Sequence, residues 1–351
     1  MANPARWSET RANDWYAGQP WFVGANYTPA TAINQLEMWQ AETFDPATID
    51  RELALAGDLG MNAMRVFLHD LLWESDAQGF AARIEQFLRI ADSHGIATLF
   101  VPFDDCWHEG ARLGPQPAPQ GRHNSGWLQS PGHAVVLDEA HYPRLEAYVS
   151  GLVGRFADDS RVLGWDLYNE PTNLFLPLQH LPSPEREARV AEAMRRREQS
   201  KPAHLRLVRL AFEWARQAAP SQPLTVGAYN ADRELNAVFF QESDVISFHN
   251  YEGTERLETL IASLKRHGRP ILCTEYMART RASLFTTHLP IFKREKIGAF
   301  NWGFVNGKTE THLPWIPDPA ETTWFHDVLR GDGTPYDPAE VAAIRELTGR
   351  R

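Results

Sequence analysis

Eight short apolar runs recur along this chain, and most of them end on polar or aromatic residues. They are Trp21 to Tyr27, Met61 to Leu68, Ile96 to Phe103, Val162 to Tyr168, Leu224 to Tyr229, Val245 to Phe248, Ile271 to Thr274 and Ala299 to Phe304. Runs of this length with turn signals at their ends are the pattern of buried strands. Helical patterns lie between them. Asp45-Pro46 supplies a cap and a first-turn proline to a helix that carries Leu53, Leu55 and Leu59 and stops at Gly60. Ala81 to Ser93 sets Ile84, Phe87, Leu88 and Ala91 on one face and ends at His94-Gly95. Glu139 to Phe156, Thr254 to Arg266 and a closing Pro335 to Arg351 read as further helices. Pro184 to Ala219 reads as one long charged helical stretch that Lys201-Pro202 can interrupt, its Arg and Glu residues forming a solvated face.

Strand alternating with helix implies a parallel sheet. No glycine-rich dinucleotide turn follows the first strand, and Gly57-Asp58-Leu59-Gly60 lies at a helix end, so a closed (β/α)8 barrel outranks an open doubly wound sheet. The expectation is one α/β barrel domain over residues 1–351, with core strands from about 21 to 304 and a closing segment at 305–351. Two long rim loops stand out, 104–138 with Trp107, His108 and Trp127, and 172–182. Thr31 to Glu42, with Trp39, is expected at the rim as part of a pocket wall.

Composition narrows the partners. The 351 residues carry 35 Lys and Arg against 45 Asp and Glu, a formal charge of −10, which disfavours nucleic acid and anionic membrane surfaces. The first 25 residues contain no apolar run of a signal peptide and nothing approaches a membrane span, so a cytoplasmic location is expected. Cys106 and Cys273 form neither a C-x-x-C pair nor a disulfide framework, and Cys273 should be buried inside its strand. Thirteen histidines include no H-x-x-x-H or H-E-x-x-H pair, so no metal or other cofactor is expected.

The chemistry is expected at strand ends. Gly164-Trp165-Asp166-Leu167-Tyr168-Asn169-Glu170-Pro171 is an apolar strand that stops on an amide and a carboxylate, and Pro270 to Tyr276 is a second that stops on Glu275. Two strands delivering one carboxylate each to one rim are the apparatus of glycoside hydrolysis. Asn169-Glu170-Pro171, His249-Asn250-Tyr251, the strand ending in Glu275, and Arg65 and Trp302 at their own strand ends together resemble the cellulase-like family 5 of glycoside hydrolases, in the clan of retaining (β/α)8 enzymes. That resemblance extends from about Trp21 to the Trp302 segment.

It implies Glu170 as general acid/base and Glu275 as nucleophile. Asn169 is then the donor to the sugar 2-hydroxyl, Arg65 the cation that aims Glu275, Tyr251 the hydroxyl that bonds the nucleophile, and His249 the histidine beside it. Trp302 becomes the platform under the sugar. His108 matches the family's third-strand histidine in an altered context, and Asn26 and Trp107 complete the expected substrate-binding set. The reading is a retaining β-glycoside hydrolase acting on oligosaccharides, exo-acting and β-mannosidase-like first, with an endo-acting glucanase, mannanase or xylanase next. A pocket walled by Trp39, Trp107, Trp127 and Trp302 favours exo action. From other classes stand a non-catalytic carbohydrate-binding barrel and a metal-dependent barrel enzyme using Asp104, Asp105, His108 and His249.

Overall fold

The computed structural model describes residues 5–173 and 182–350. Eight parallel strands form its centre: β1 (Val23–Asn26), β2 (Ala63–Phe67), β3 (Ala97–Val101), β4 (Val162–Asp166), β5 (Leu224–Thr225), β6 (Ile246–Asn250), β7 (Ile271–Tyr276) and β8 (Gly298–Trp302). They are hydrogen-bonded in the order β5-β4-β3-β2-β1-β8-β7-β6. The last gap, between β5 and β6, is spanned beyond the end of β5, where the Ala228 and His249 amides donate to the Ser247 and Ala228 carbonyls at 2.9 Å each. The sheet is thus a closed (β/α)8 barrel. A two-residue extension, Phe103–Asp104 paired with Tyr168–Asn169, lengthens β3 and β4 at the rim.

Strand alternation explains what fills the barrel. On β2, Met64 and Val66 point outward to the helices, while Ala63, Arg65 and Phe67 point inward. The lowest inner layer, Ala63, Leu99, Leu163, Leu272 and Phe300, is apolar and is closed from below by Tyr16 of α1 (Glu9–Ala17), a helix the apolar pattern did not reveal. Phe67, Val101, Trp127 and Trp302 form the upper layer. Arg65 lies between the two. Gly24 is required where β1 meets β2, because a Cβ there would stand 1.6 Å from the Ala63 carbonyl oxygen.

The helices follow in order: α2 (Gln35–Trp39), α3 (Pro46–Asp58), α4 (Asp70–Ser93), α5 (His133–Leu137), α6 (Tyr142–Arg155), α7 (Ser183–Gln217), α8 (Arg233–Glu242), α9 (Thr254–Leu264), α10 (Phe285–Glu295) and α11 (Pro338–Thr348). Asp45 caps α3 as expected, its side chain accepting from the Thr48 amide. Three differences from the sequence reading have physical causes. Helix α4 begins eleven residues earlier than expected, its extra turns joined across a kink at Asp76. Helix α7 continues through Pro202, since from Ser200 onward its face packs Leu205, Val208 and Phe212 into the core and tertiary burial outweighs the lost backbone bond. Trp39 is not a rim residue: it is fully buried, donates to the Phe67 carbonyl at 2.9 Å and stacks on Phe44. Of the expected 172–182 loop, residues 174–181 lie outside the described residues. The charged first half of α7 is exposed, matching a solvated face.

Candidate active site

Arg65 organises the site from the middle of the barrel. It is fully buried, and its guanidinium reaches four side chains on three other strands. Nε donates to Asp166 at 2.9 Å, Nη1 to Asn26 at 2.7 Å and Glu275 at 2.8 Å, and Nη2 to Asn169 at 2.7 Å. A fixed fork of donors suits this, and removing one partner of such a buried pair costs about 3–5 kcal/mol. Asn26 is wholly occupied here, its amide nitrogen donating to the Thr274 and Asn301 carbonyls. It supports Arg65 from the neighbouring strand and does not line the cavity above.

Glu275 reaches the site because β7 bulges. Its pairing register shifts against both neighbours around Thr274, which turns Glu275 inward beside the residue that precedes it. One carboxylate oxygen accepts from Arg65, and the other accepts from the Tyr251 hydroxyl at 2.7 Å. Glu170 follows the β4 extension in a left-handed conformation, φ 45°, which is strained for glutamate and re-aims its side chain over the barrel mouth. Its Oε1 lies 2.6 Å from His249 Nδ1. Its Oε2 accepts from Asn173 and, at 3.5 Å, from the Cys106 thiol. Gly227 leaves room for the His249 ring, since a Cβ there would meet Nε2 at 3.1 Å.

One oxygen each of Glu170 and Glu275 and one His249 nitrogen all lie within 4.8 Å of one another. Their electrostatics differ. Burial pushes both carboxyls up, but on Glu275 the Arg65 charge and the Tyr251 hydrogen bond pull back. Glu170, answered by Cys106 and Asn173 and only distantly by Arg65, is pushed up to about 7. Burial drives His249 down to about 4, with Arg65 adding to the effect, so its ring is neutral near pH 7. The arrangement can hold one protonated and one ionised carboxyl side by side. Among the described residues this is also the one cluster of three groups spaced as metal ligands, and Glu275 already spends its oxygens on Arg65 and Tyr251. Asp104, Asp105 and His108 are not part of it.

A cavity of about 1170 Å³ opens above these groups. Of the residues expected from sequence, Glu170, Glu275, Asn169, His249, Tyr251, Trp302 and Trp107 all line it. Arg65 stands beneath it, and His108 sits in the long loop, where its backbone pairs with Trp127 and Gln129. Trp127 is buried, its indole N–H donating to Asp104 at 2.6 Å while its ring packs edge-on against Phe67 and Trp302. Trp127 and Trp39 therefore do not wall the cavity; Trp107 and Trp302 do. The lining residues that sequence reasoning passed over include Asn173, Tyr229, His123, Asn124 and Trp315. Asn173 was within reach, three residues past Glu170, and so was Tyr229, the last residue of the fifth apolar run, but His123, Asn124 and Trp315 come from loops with no periodic signal.

No protein-family model and no curated protein sequence matches this chain. Solved structures do share its fold. GH5_18 of Streptomyces cattleya, in complex with Manb1-4GlcNAc, superposes with a TM-score of 0.59 at 16% identity over 94% of this chain and 81% of that one. The β-mannanase of the blue mussel Mytilus edulis gives 0.58 at 15% identity, with 94% and 92% covered. An exo-β-1,4-mannosidase of Opitutaceae bacterium strain TAV5 gives 0.57 at 19% identity over 94% of this chain and 60% of that one. At these identities the likeness extends to the barrel fold. Among the described residues no helix is long and apolar enough to cross a membrane.

Proposed function

We propose that this protein is a retaining β-glycoside hydrolase of the family 5 type, removing sugars from the non-reducing end of β-linked oligosaccharides, with β-mannosides as preferred substrates. One observation carries the reading: two glutamates from the ends of β4 and β7 bring oxygens within 4.8 Å across one cavity, in unequal surroundings. Retaining glycosidases need carboxyls about 5–5.5 Å apart, whereas inverting ones separate them by about 6.5–9.5 Å to admit a water.

The steps follow from the contacts. Glu275, held ionised by Arg65, attacks the anomeric carbon as the glycosidic C–O bond breaks, and the proton held by Glu170 passes to the departing oxygen. Asn169, whose amide oxygen is fixed by Arg65 and whose nitrogen is fixed by Asp104 at 2.9 Å, stands beside the sugar 2-hydroxyl. Glu170 then takes a proton from water as that water attacks the same carbon and releases Glu275. Trp302 packs under the apolar face of the ring. Trp107 and Trp315, both packed against His123 in the cavity wall, support exo over endo action. The mannose-containing substrates named for the structural neighbours support the sugar choice.

A panel of aryl β-mannosides, β-glucosides and β-galactosides, with reduced oligosaccharides alongside, tests the reading. Proton NMR of the first product is expected to show the β anomer, with single units released from oligosaccharides. An α first product contradicts retention, early mid-length products contradict exo action, and loss of activity with a chelator restores a metal-dependent reading.

A further inference from the structure

Two neighbours on the long third loop stand out by what they leave unanswered. Asn124 is fully buried and His123 is 3% exposed, yet both line the cavity. Neither the amide nitrogen nor the amide oxygen of Asn124 has a partner among the described residues, and the same holds for His123 Nε2. His123 Nδ1 lies 2.8 Å from the Leu313 carbonyl oxygen, which can only accept, so Nδ1 carries the ring proton and Nε2 offers a lone pair. Burial holds the ring neutral, driving it down to about 3. Buried polar atoms are nearly always answered, and one donor and two acceptors left unanswered on two residues that line a cavity ask for a ligand.

Both residues are held in place. Asn124 adopts a left-handed backbone, φ 49°, anchored by its backbone N–H donating to the Thr309 carbonyl at 2.9 Å. The His123 ring stacks on Trp107 at 5.3 Å and meets the edge of Trp315 at 6.5 Å. Trp315 in turn stands 4.9 Å from Tyr251, the residue bonded to Glu275. The pair therefore belongs to the nucleophile's side of the cavity, where the glycone must lie.

We infer that His123 and Asn124 clamp a vicinal pair of free hydroxyls, O3 and O4, on the far edge of a terminal sugar. This rests on the glycosidase reading above and sharpens it. With the anomeric carbon at Glu275 and O2 at Asn169, the opposite ring edge presents O3 and O4. One hydroxyl donates to His123 Nε2 and accepts from Asn124 Nδ2, and its neighbour donates to Asn124 Oδ1. An O4 that carries a further sugar has no proton to give, so the clamp selects chain ends.

The test uses the full chain and whichever aryl β-glycoside it cleaves fastest, with the 3-deoxy, 4-deoxy and 4-O-methyl counterparts of that substrate. The same set is run on Asn124→Gly, since glycine accepts the left-handed backbone, and on His123→Phe, which keeps a ring against Trp107. For the wild type, kcat/KM is expected to fall about thirty-fold or more on the 4-deoxy and 4-O-methyl substrates. Asn124→Gly is expected to lose a similar factor on the parent glycoside and to discriminate against the deoxy sugars by only a few fold. Equal penalties in wild type and variant overturn the clamp, as does a wild type that cleaves parent and 4-O-methyl substrates alike. The wild-type arm decides the matter if a variant does not fold. A wild type that cleaves no aryl β-glycoside overturns the glycosidase reading itself, whereas cleavage without discrimination overturns the clamp alone.

Discussion

Two of the histidine–carboxylate pairs at the mouth of this barrel have opposite chemistry. His204 on α7 places Nε2 2.9 Å from Asp105, and His249 on β6 places Nδ1 2.6 Å from Glu170. At the first, burial opposes charge on both groups, yet each partner's charge wins: His204 is raised and Asp105 is lowered. Asp105 also accepts from the Tyr168 hydroxyl and the Thr172 amide at 2.6 Å each. At the second, burial wins on both sides: at His249, with Arg65 adding to it, burial outweighs the opposing charge of Glu275 3.5 Å away, and Glu170 receives only neutral donors. The first is an ion pair that anchors the β4 rim; the second is a neutral pair that can hand over a proton. Residue types alone do not separate the two, whereas the number of donors and the nearest fixed cation do.

The largest effect is expected from Glu275→Ala, which removes the proposed nucleophile and leaves the anchoring pair intact. Its kcat/KM should fall by about 10⁴-fold or more with the far-ultraviolet circular dichroism unchanged, and a variant keeping a tenth of the activity contradicts the assignment. Glu170→Ala should lose about 10²–10⁴-fold on natural glycosides and much less on aryl glycosides with good leaving groups. Because Glu170 is pushed up to about 7, the wild-type rate on poor leaving groups should decline above that pH as the acid is lost. A profile flat to pH 9 argues against Glu170 as the donor.

On the anchoring side, Asp105→Asn should cost about 3–5 kcal/mol in urea unfolding, the penalty of a broken buried pair. That loss should itself depend on pH. Asp105 is lowered on folding, so its contribution is present above its unfolded value near 4 and fades as pH falls through its lower folded value. His204 is raised, so its contribution is complete below about 6.5 and fades as pH rises through its higher folded value. The difference between wild type and variant should therefore be greatest between about pH 4 and 6.5. A difference constant from pH 4 to 9 means the pair is held by hydrogen bonds without charge.

The strands and their polar ends were legible because a buried strand writes itself as a short apolar run, and Glu170, Glu275, Asn169, His249 and Tyr251 fall where such runs stop. Arg65 was legible as an interruption inside one. Loop aromatics were not. Trp39 and Trp127 look like rim residues in sequence, but Trp39 has an apolar socket between α2 and α4, and Trp127 has a carboxylate waiting at Asp104. Trp315, His123 and Asn124 reach the cavity only because 305–337 and the third loop fold against each other, a contact with no local pattern. Prolines misled in the same way: α7 carries Pro202 and α10, which no apolar rhythm announced, carries Pro290. Asn26 was placed at the right strand end but serves Arg65 from beneath the cavity.

The central claim is that Glu275 forms a covalent bond to sugar while Glu170 supplies the proton, and the most direct test is to trap that bond. A 2-deoxy-2-fluoro β-glycoside with a good leaving group should slow both steps and let the intermediate accumulate. Mass spectrometry of the treated protein is expected to show one added sugar, located after digestion on the peptide containing Glu275 and absent in Glu275→Ala. A sugar carried by any other residue, or steady turnover of the natural substrate with no adduct and an α first product, would contradict the account.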